Sequence, residues 1–240
     1  MAIENIEQGT LPAHIKAVIA LTSWKKRINT VGLTIFNLRC VCGRDFHIVL
    51  TLAEEEFPGK ESELPEDLMR MNRVGIFEIL WVKQNWKSFK KVLFAMQKYP
   101  SMPIISADDD CIYRFNYAAE LLAHLPKDTR TCVTYWCSKY RNTNYYNTAG
   151  YATCFSPNYF NNAIRYISDR IMPFNEDDML YLSIRIKENI HGCICLNKSY
   201  PDVAIEHDGV EPLHNMYSRR TKDERDNQID NLVDILKMIR

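Results

Sequence analysis

"MPIISADDDCIYR" (residues 102–114) contains a short apolar run, three consecutive carboxylates at Asp108, Asp109 and Asp110, and a return to apolar and aromatic residues. Two unit charges about 4 Å apart repel by roughly 1 kcal/mol in water and roughly 4 kcal/mol at the effective dielectric of a protein surface. Open solvent absorbs that cost, whereas a partly enclosed site needs a cation. Which case applies depends on what the chain builds around residues 102–107, which read as a buried strand with the acids at its carboxyl end.

Outward from that strand the same alternation repeats. "KAVIALTS" (residues 16–23) reads as a first buried strand, and residues 30–40 place Val31, Ile35 and Leu38 at helical spacing. "FHIVLTLA" (46–53) is a second strand, "LPEDLMRM" (64–71) a short helix with Pro65 in its first turn, and "IFEILWV" (76–82) a third strand. "SFKKVLFAMQKY" (88–99) is a helix with Phe89, Val92, Leu93 and Met96 on one face. This β-α-β-α order predicts an α/β domain with a mostly parallel sheet covered on both faces. Such sheets bind ligands outside the carboxyl ends of their strands, which is where the acid cluster falls.

Beyond about residue 130 the pattern is less regular. "TCVTYW" (131–136) reads as a strand and residues 137–157 as polar, aromatic and irregular, with one glycine, Gly150. Residues 158–167 and 176–189 read as helices and 192–197 as a late strand. Residues 221–240 carry Ile229, Leu232, Val233, Leu236 and Ile239, an amphipathic helix whose mixed charge favours the chain's own core or a partner subunit over an anionic membrane. No repeat or linker divides the chain, so one domain is expected over residues 1–240.

Composition agrees. With 46% hydrophobic residues the 240-residue chain can bury a sizeable core, and thirty basic against thirty acidic residues give no field that would attract nucleic acid. No apolar stretch is long enough for a membrane span or a signal peptide, and eight cysteines then read as reduced thiols of a cytoplasmic protein. The C-x-C pairs Cys40/Cys42 and Cys193/Cys195 are closer than zinc ligands are usually spaced, and read as buried apolar side chains.

Several residues offer chemistry, each with a plainer alternative. On an extended backbone residues i and i+2 point the same way, so Asp108 and Asp110 can converge while Asp109 points elsewhere. Two converging carboxylates suit Mg2+ or Mn2+ shared with phosphate oxygens; otherwise the triplet is a solvated turn or a cap for a helix near Asn116. Glu176, Asp177 and Asp178 offer a general base or, equally, favourable charges at a helix start. Lys87, Lys90 and Lys91 sit at the start of a helix that Asn85 or Ser88 can cap, against the dipole's preference, which suggests a compensating anion; the alternative is three solvated lysines. "LTSWKKRINT" (21–30) offers Thr22 and Arg27 to a nucleotide or is an ordinary basic loop. His207 and His214 are either metal ligands or packed side chains.

Taken together, "AVIALTSWKKRI", "HIVLTLAEEEFP", "GIFEILWV…NWKSFKK…YP" and "IISADDDCIY" resemble nucleotide-sugar-dependent glycosyltransferases of the GT-A fold, most closely bacterial enzymes that build surface polysaccharide or lipopolysaccharide. The likeness runs from about Ala17 to Asn189 and rests on the order of the motifs. It implies a nucleotide-sugar-binding half over about residues 16–130, an acceptor-side half over about 131–220 and a carboxyl-terminal helix over 221–240. It further implies Mn2+ or Mg2+ held by Asp108, Asp110 and His207, in preference to His214, and a nucleotide-diphosphate sugar, by preference a UDP-sugar. Thr22, Ser23 and Arg27 would line the nucleotide pocket, Asp109 would sit near the sugar or ribose, and Lys90 or Lys91 would face phosphate or sugar. Asp177, with Asp178 as second choice, would be the catalytic base of a hexosyltransferase acting on a glycan or lipid-linked glycan at or near the inner face of the membrane. "NTAGYATCFSP" stands where the family has a glycine-rich stretch and holds only Gly150. Two other readings are a nucleotidyltransferase, disfavoured by the glycine-free loop after the first strand, and a non-catalytic nucleotide-sugar-binding domain.

Overall fold

Five consecutive residues, Ala17 to Leu21, have no exposed surface at all. They belong to β1 (Ala17–Thr22), and their side chains alternate between two cores. Val18 and Ala20 enter one, and Ala17, Ile19 and Leu21 enter the other. A strand buried on both faces must be covered on both, and the helices do this. In the computed structural model of the protein the described residues are 6–127, 129–148, 150–160, 177–207 and 221–238.

The amino-terminal half follows the expected alternation: β1, α1 (Val31–Cys42), β2 (Phe46–Ala53), α2 (Glu66–Arg73), β3 (Glu78–Val82), α3 (Lys90–Lys98) and β4 (Ile104–Ser106). A single tight turn, Lys87–Phe89, leads into α3. Then come β5 (Cys111–Tyr113), α4 (Tyr117–Ala123), β6 (Thr131–Thr134), β7 (Cys137–Lys139), β8 (Tyr146–Thr148) and β9 (Thr153–Phe155). The described elements end with α5 (Asp177–Glu188), β10 (Gly192–Cys195), the short α6 (Tyr200–Val203), β11 (Ala204–Glu206) and α7 (Lys222–Met238).

Seven strands form the central sheet in the order β10-β6-β9-β4-β1-β2-β3. All neighbours run parallel except β9, which is antiparallel to both β4 and β6. One face is covered by α3, α5 and α7, through Val92, Leu93, Met96, Leu180, Ile184, Leu232 and Leu236. The other is covered by α1, α2 and α4, through Val31, Ile35, Leu38, Leu68, Ala118 and Leu121. Each fully buried leucine or isoleucine contributes roughly 1.5–3 kcal/mol, so the two layers hold the sheet's interior fixed.

The irregular reading of residues 137–157 needs correction. They contain β7, β8 and β9, and β9 lies inside the central sheet, with Cys154 and Phe155 fully buried between β4 and β6. A three-residue strand paired on both edges has no room to show alternation. Nor do the acids cap a helix near Asn116: β5 intervenes, and it pairs antiparallel with β11. Residues 157–160 form a turn in which Asn158 has a φ of 61°, and 161–167 lie outside the described residues.

The carboxyl-terminal helix lies on the chain's own core. Thr221 and Glu224 cap it reciprocally, the Thr221 N–H donating to Glu224 Oε2 at 2.7 Å and the Glu224 N–H to Thr221 Oγ1 at 3.2 Å. The helix packs on α5, and Tyr140 Oη donates to Asp230 Oδ1 at 2.7 Å.

Candidate active site

β4 ends at Ser106, and the next residues turn at the carboxyl edge of the parallel strands. There the three acids face cations supplied by two other segments. Arg27, on the loop after β1, donates through Nη1 to Asp109 Oδ1 at 2.9 Å and to Asp110 Oδ2 at 2.8 Å. Lys91, on the first turn of α3, donates through Nζ to Asp108 Oδ1 at 2.6 Å. The Ser23 hydroxyl donates to Asp109 Oδ2 at 2.6 Å. Asp109 therefore points inward to Ser23 and Arg27, not away from the cluster as simple alternation suggests.

Among the described residues three carboxylates face two cations. Burial and the charge of Asp108 outweigh Arg27 and push the Asp110 carboxyl up to about 7. Burial also holds Asp109 above the usual carboxylate range, against Ser23 and Arg27. Burial works against the charge of Arg27, but Asp109 and Asp110 more than offset it and raise its pKa. Asp108 is the most open of the three, with 39% of its side chain exposed. Among the described residues the cluster is thus enclosed on the Arg27 side and open on the Asp108 side, with Asp110 partly protonated at neutral pH because three carboxylates crowd two cations.

Two tyrosines fix the backbone of the acid turn. The Asp108 N–H donates to Tyr113 Oη at 2.7 Å, and Tyr113 Oη donates to the Tyr151 carbonyl at 3.2 Å. Tyr117 Oη donates to the Ser106 carbonyl. The segment after Gly150 is thereby tied to the acid turn through backbone.

His207 follows β11, whose pairing sets Glu206 opposite Cys111. Its N–H donates to the Asp110 carbonyl at 2.8 Å, and its Nε2 lies 2.9 Å from Thr34 Oγ1. Thr34 Oγ1 is also within 2.9 Å of the Asp109 carbonyl and 3.0 Å of the Cys111 carbonyl. A hydroxyl has one proton; given to a carbonyl, it leaves Oγ1 to accept from Nε2–H, and the lone pair of the imidazole is then on Nδ1. Neither Thr34 nor Tyr113 was singled out in the sequence. The one available signal was a polar residue within the buried stripe Val31, Ile35, Leu38.

The remaining lysine-rich residues divide. Lys90 and Lys91 are buried, at 2% and 1% exposure, so neither is a solvated surface lysine. Lys90 Nζ lies 3.7 Å from Glu56 Oε2 and 3.4 Å from Asn85 Oδ1, and Lys87 is exposed. The Thr22 hydroxyl donates to the Thr51 carbonyl at 2.6 Å and ties β1 to β2.

Asp177 and Asp178 begin α5, but their side chains lie outside the described residues, as do Glu176 and His214. Backbone topology still locates the start of that helix. Its last residue, Glu188, pairs with Arg130 just before β6, at the amino ends of β6 and β10. At 1.5 Å per residue the helix spans about 18 Å, so its first residues lie toward the carboxyl edge of the sheet, the edge that carries the acid triplet.

Among the described residues no group of three or more His, Cys, Asp or Glu side chains converges to hold a metal ion by itself, so Asp108, Asp110 and His207 are not brought together as the expected ligand trio. Two carboxyl groups of a crowded triplet nonetheless fit a hard divalent cation whose other ligands come from phosphate or water.

The architecture has relatives among solved structures. A mannosyltransferase from Pyrobaculum calidifontis, in complex with GDP-Man and Mn2+, superposes with a TM-score of 0.57 at 9% identity, covering 99% of this chain and 77% of that one. The bifunctional glycosyltransferase WbbM in its apo form superposes with a TM-score of 0.50 at 9% identity over 84% of this chain, which spans 44% of that protein. The fold is GT-A-like. No protein-family model matches the chain, and a search of curated sequences finds no match. Among the described residues no helix is long and apolar enough to cross a membrane.

Proposed function

We propose that the chain is a metal-dependent glycosyltransferase that moves a sugar from a nucleotide-diphosphate donor, by preference a UDP-sugar, to a hydroxyl of a glycan or lipid-linked acceptor in surface-glycan synthesis. The observation that carries this reading is the crowding of three carboxyl groups at the carboxyl end of β4, open on the side of Asp108. The GT-A-like fold supports it, as does the Mn2+ and GDP-Man complex of the archaeal mannosyltransferase.

In this reading Asp108 and Asp110 hold Mn2+ or Mg2+ together with phosphate or water, and His207, although it does not converge with the two carboxylates as placed, is the further ligand proposed through Nδ1. The bound cation would stabilise negative charge on the departing diphosphate. Lys91 lies beside Asp108 and so within reach of the same phosphates, while Ser23 and Arg27 keep Asp109 in place on the ribose or sugar side. Asp177, with Asp178 as the alternative, takes the proton from the acceptor hydroxyl if the reaction inverts the anomeric centre. Lys90 is the alternative to Lys91 for facing phosphate or sugar, although its ammonium is buried beside Glu56 and Asn85.

A thermal-shift panel of nucleoside diphosphates, each with and without Mn2+, tests the reading directly. Ligand bound only to the native state raises the melting temperature by mass action. The expected result is a rise for one nucleobase that needs the metal. Equal response with and without Mn2+, or none, overturns the metal-dependent reading. Slow hydrolysis of the matching nucleotide sugar without acceptor separates an enzyme from a binding domain.

A further inference from the structure

Arg185 is 1% exposed, and among the described residues it meets no carboxylate. Its Nε donates to Tyr159 Oη at 2.9 Å, and Nη2 donates to Thr148 Oγ1 at 3.1 Å and to Cys132 Sγ at 3.2 Å; Nη1 donates to the Tyr146 carbonyl. A guanidinium stays charged in a protein, and a buried charge without a counter-ion is costly. Only two of these partners can become anions. Burial pushes the Tyr159 phenol far up, which leaves the thiol of Cys132.

Cys132 has a partner of its own kind. In the parallel pairing of β6 with β10, Cys193 is the residue directly opposite it. Cys132 is fully buried and Cys193 partly exposed. Burial alone would raise the Cys132 thiol, but the hydrogen bond from Cys193 and the charge of Arg185 bring it down to about 6. The titratable groups facing it are Arg185 from α5, Cys193 from β10, Tyr159, and more distantly Cys137 and Cys154. All of this lies toward the amino ends of β6 and β10, at the edge of the sheet opposite the acid triplet.

We infer that Cys132 and Cys193 are a redox-sensitive thiol pair, with Cys132 the thiolate held by Arg185 and Cys193 the resolving thiol, closing to a disulfide in the presence of hydrogen peroxide. The Cys132 sulfur attacks one peroxide oxygen; the O–O bond breaks, giving a sulfenic acid and hydroxide. The Cys193 sulfur then attacks the Cys132 sulfur, the S–O bond breaks, and the leaving hydroxide takes the Cys193 proton as water. Two thiols are oxidised by two electrons, and one peroxide is reduced to two waters. The pairing is independent of the transferase reading.

The test is peroxide treatment of the full chain, blocking of remaining thiols and non-reducing peptide mapping. The expected result is a peptide linking Cys132 to Cys193 that a reductant separates. Recovery of both as free thiols while the exposed Cys40 is oxidised overturns the inference, and so does linkage of Cys132 to Cys137 or Cys195. In Cys193→Ser the expected product is a Cys132 sulfenic acid trapped by dimedone, and absence of that adduct also counts against the pair. Arg185→Met is expected to slow linkage roughly tenfold at pH 7, because the thiol returns toward its ordinary pKa. An unchanged rate removes Arg185 from the inference.

Discussion

Arg27 Nη1 lies 2.8 Å from Asp110 Oδ2, with both side chains nearly buried. The same nitrogen also serves Asp109, so one guanidinium balances two carboxylates. Removing it leaves, among the described residues, two enclosed carboxyl groups with no cation beside them. Arg27→Met is expected to cost about 3–5 kcal/mol in denaturant unfolding, the usual penalty for breaking a buried pair from one side. Because a divalent cation can replace the missing charge, Mn2+ should raise the melting temperature of this variant more than that of the parent chain. Equal Mn2+ response in both would mean that the cation does not bind at the triplet.

Asp110→Asn separates charge from fold. It removes one of three crowded carboxyl groups, the one whose pKa burial and Asp108 push up to about 7, so the melting temperature should stay level or rise. Transfer from a nucleotide sugar should fall by about two orders of magnitude, since charge on the leaving diphosphate loses part of its stabilisation. Undiminished turnover in chelator-treated buffer would remove Asp110 from the metal site.

The amino-terminal half was legible because each strand there is long or follows a helix of clear period. β2 was read with its observed bounds, and the helix with Phe89, Val92, Leu93 and Met96 on one face is α3. β5, β7, β8, β9 and β11 were missed: each has only three residues, too few to show a period, and long-range partners define them. The acid triplet was visible as a charge anomaly. That Arg27 would bridge Asp109 and Asp110 was not, because the contact joins residues 82 and 83 positions apart. Thr34 was hidden for the same reason, its partner His207 being 173 residues away.

Glu78 carries the acid sensitivity of the sheet edge. Burial alone would raise its carboxyl, but His47, Lys98 and Tyr99 outweigh this and hold it at about 2 against an ordinary 4.5. His47 Nε2 is 2.7 Å and Tyr99 Oη 2.5 Å from its Oε2, and Lys98 Nζ is 2.7 Å from its Oε1. A depressed carboxylate stabilises the fold above its unfolded pKa and loses that contribution as pH falls through the folded one. Here the contribution is on the order of 3 kcal/mol at neutral pH, fading between about 4.5 and 2. Urea titrations of the parent and Glu78→Gln should differ most near pH 7 and converge near pH 2; a constant difference across that window would assign the effect to packing.

Thr34→Val tests how His207 is held. The substitution keeps the volume and the buried position on α1 but removes the hydroxyl shared among the Asp109 carbonyl, the Cys111 carbonyl and His207 Nε2. The carbonyl that took the Thr34 proton loses that donor, so the direct cost should be about 1–3 kcal/mol. The larger consequence is loss of the hydrogen bond that sets the imidazole's tautomer and orientation, and outer-shell partners of this kind typically change metal affinity by about 10–100-fold. Mn2+ affinity measured by calorimetry in the presence of the preferred nucleotide should therefore fall in Thr34→Val and fall no further in the double variant with His207→Ala. Additive losses in that cycle would show that His207 acts without Thr34, and an unchanged affinity in both would take the histidine out of the metal site altogether.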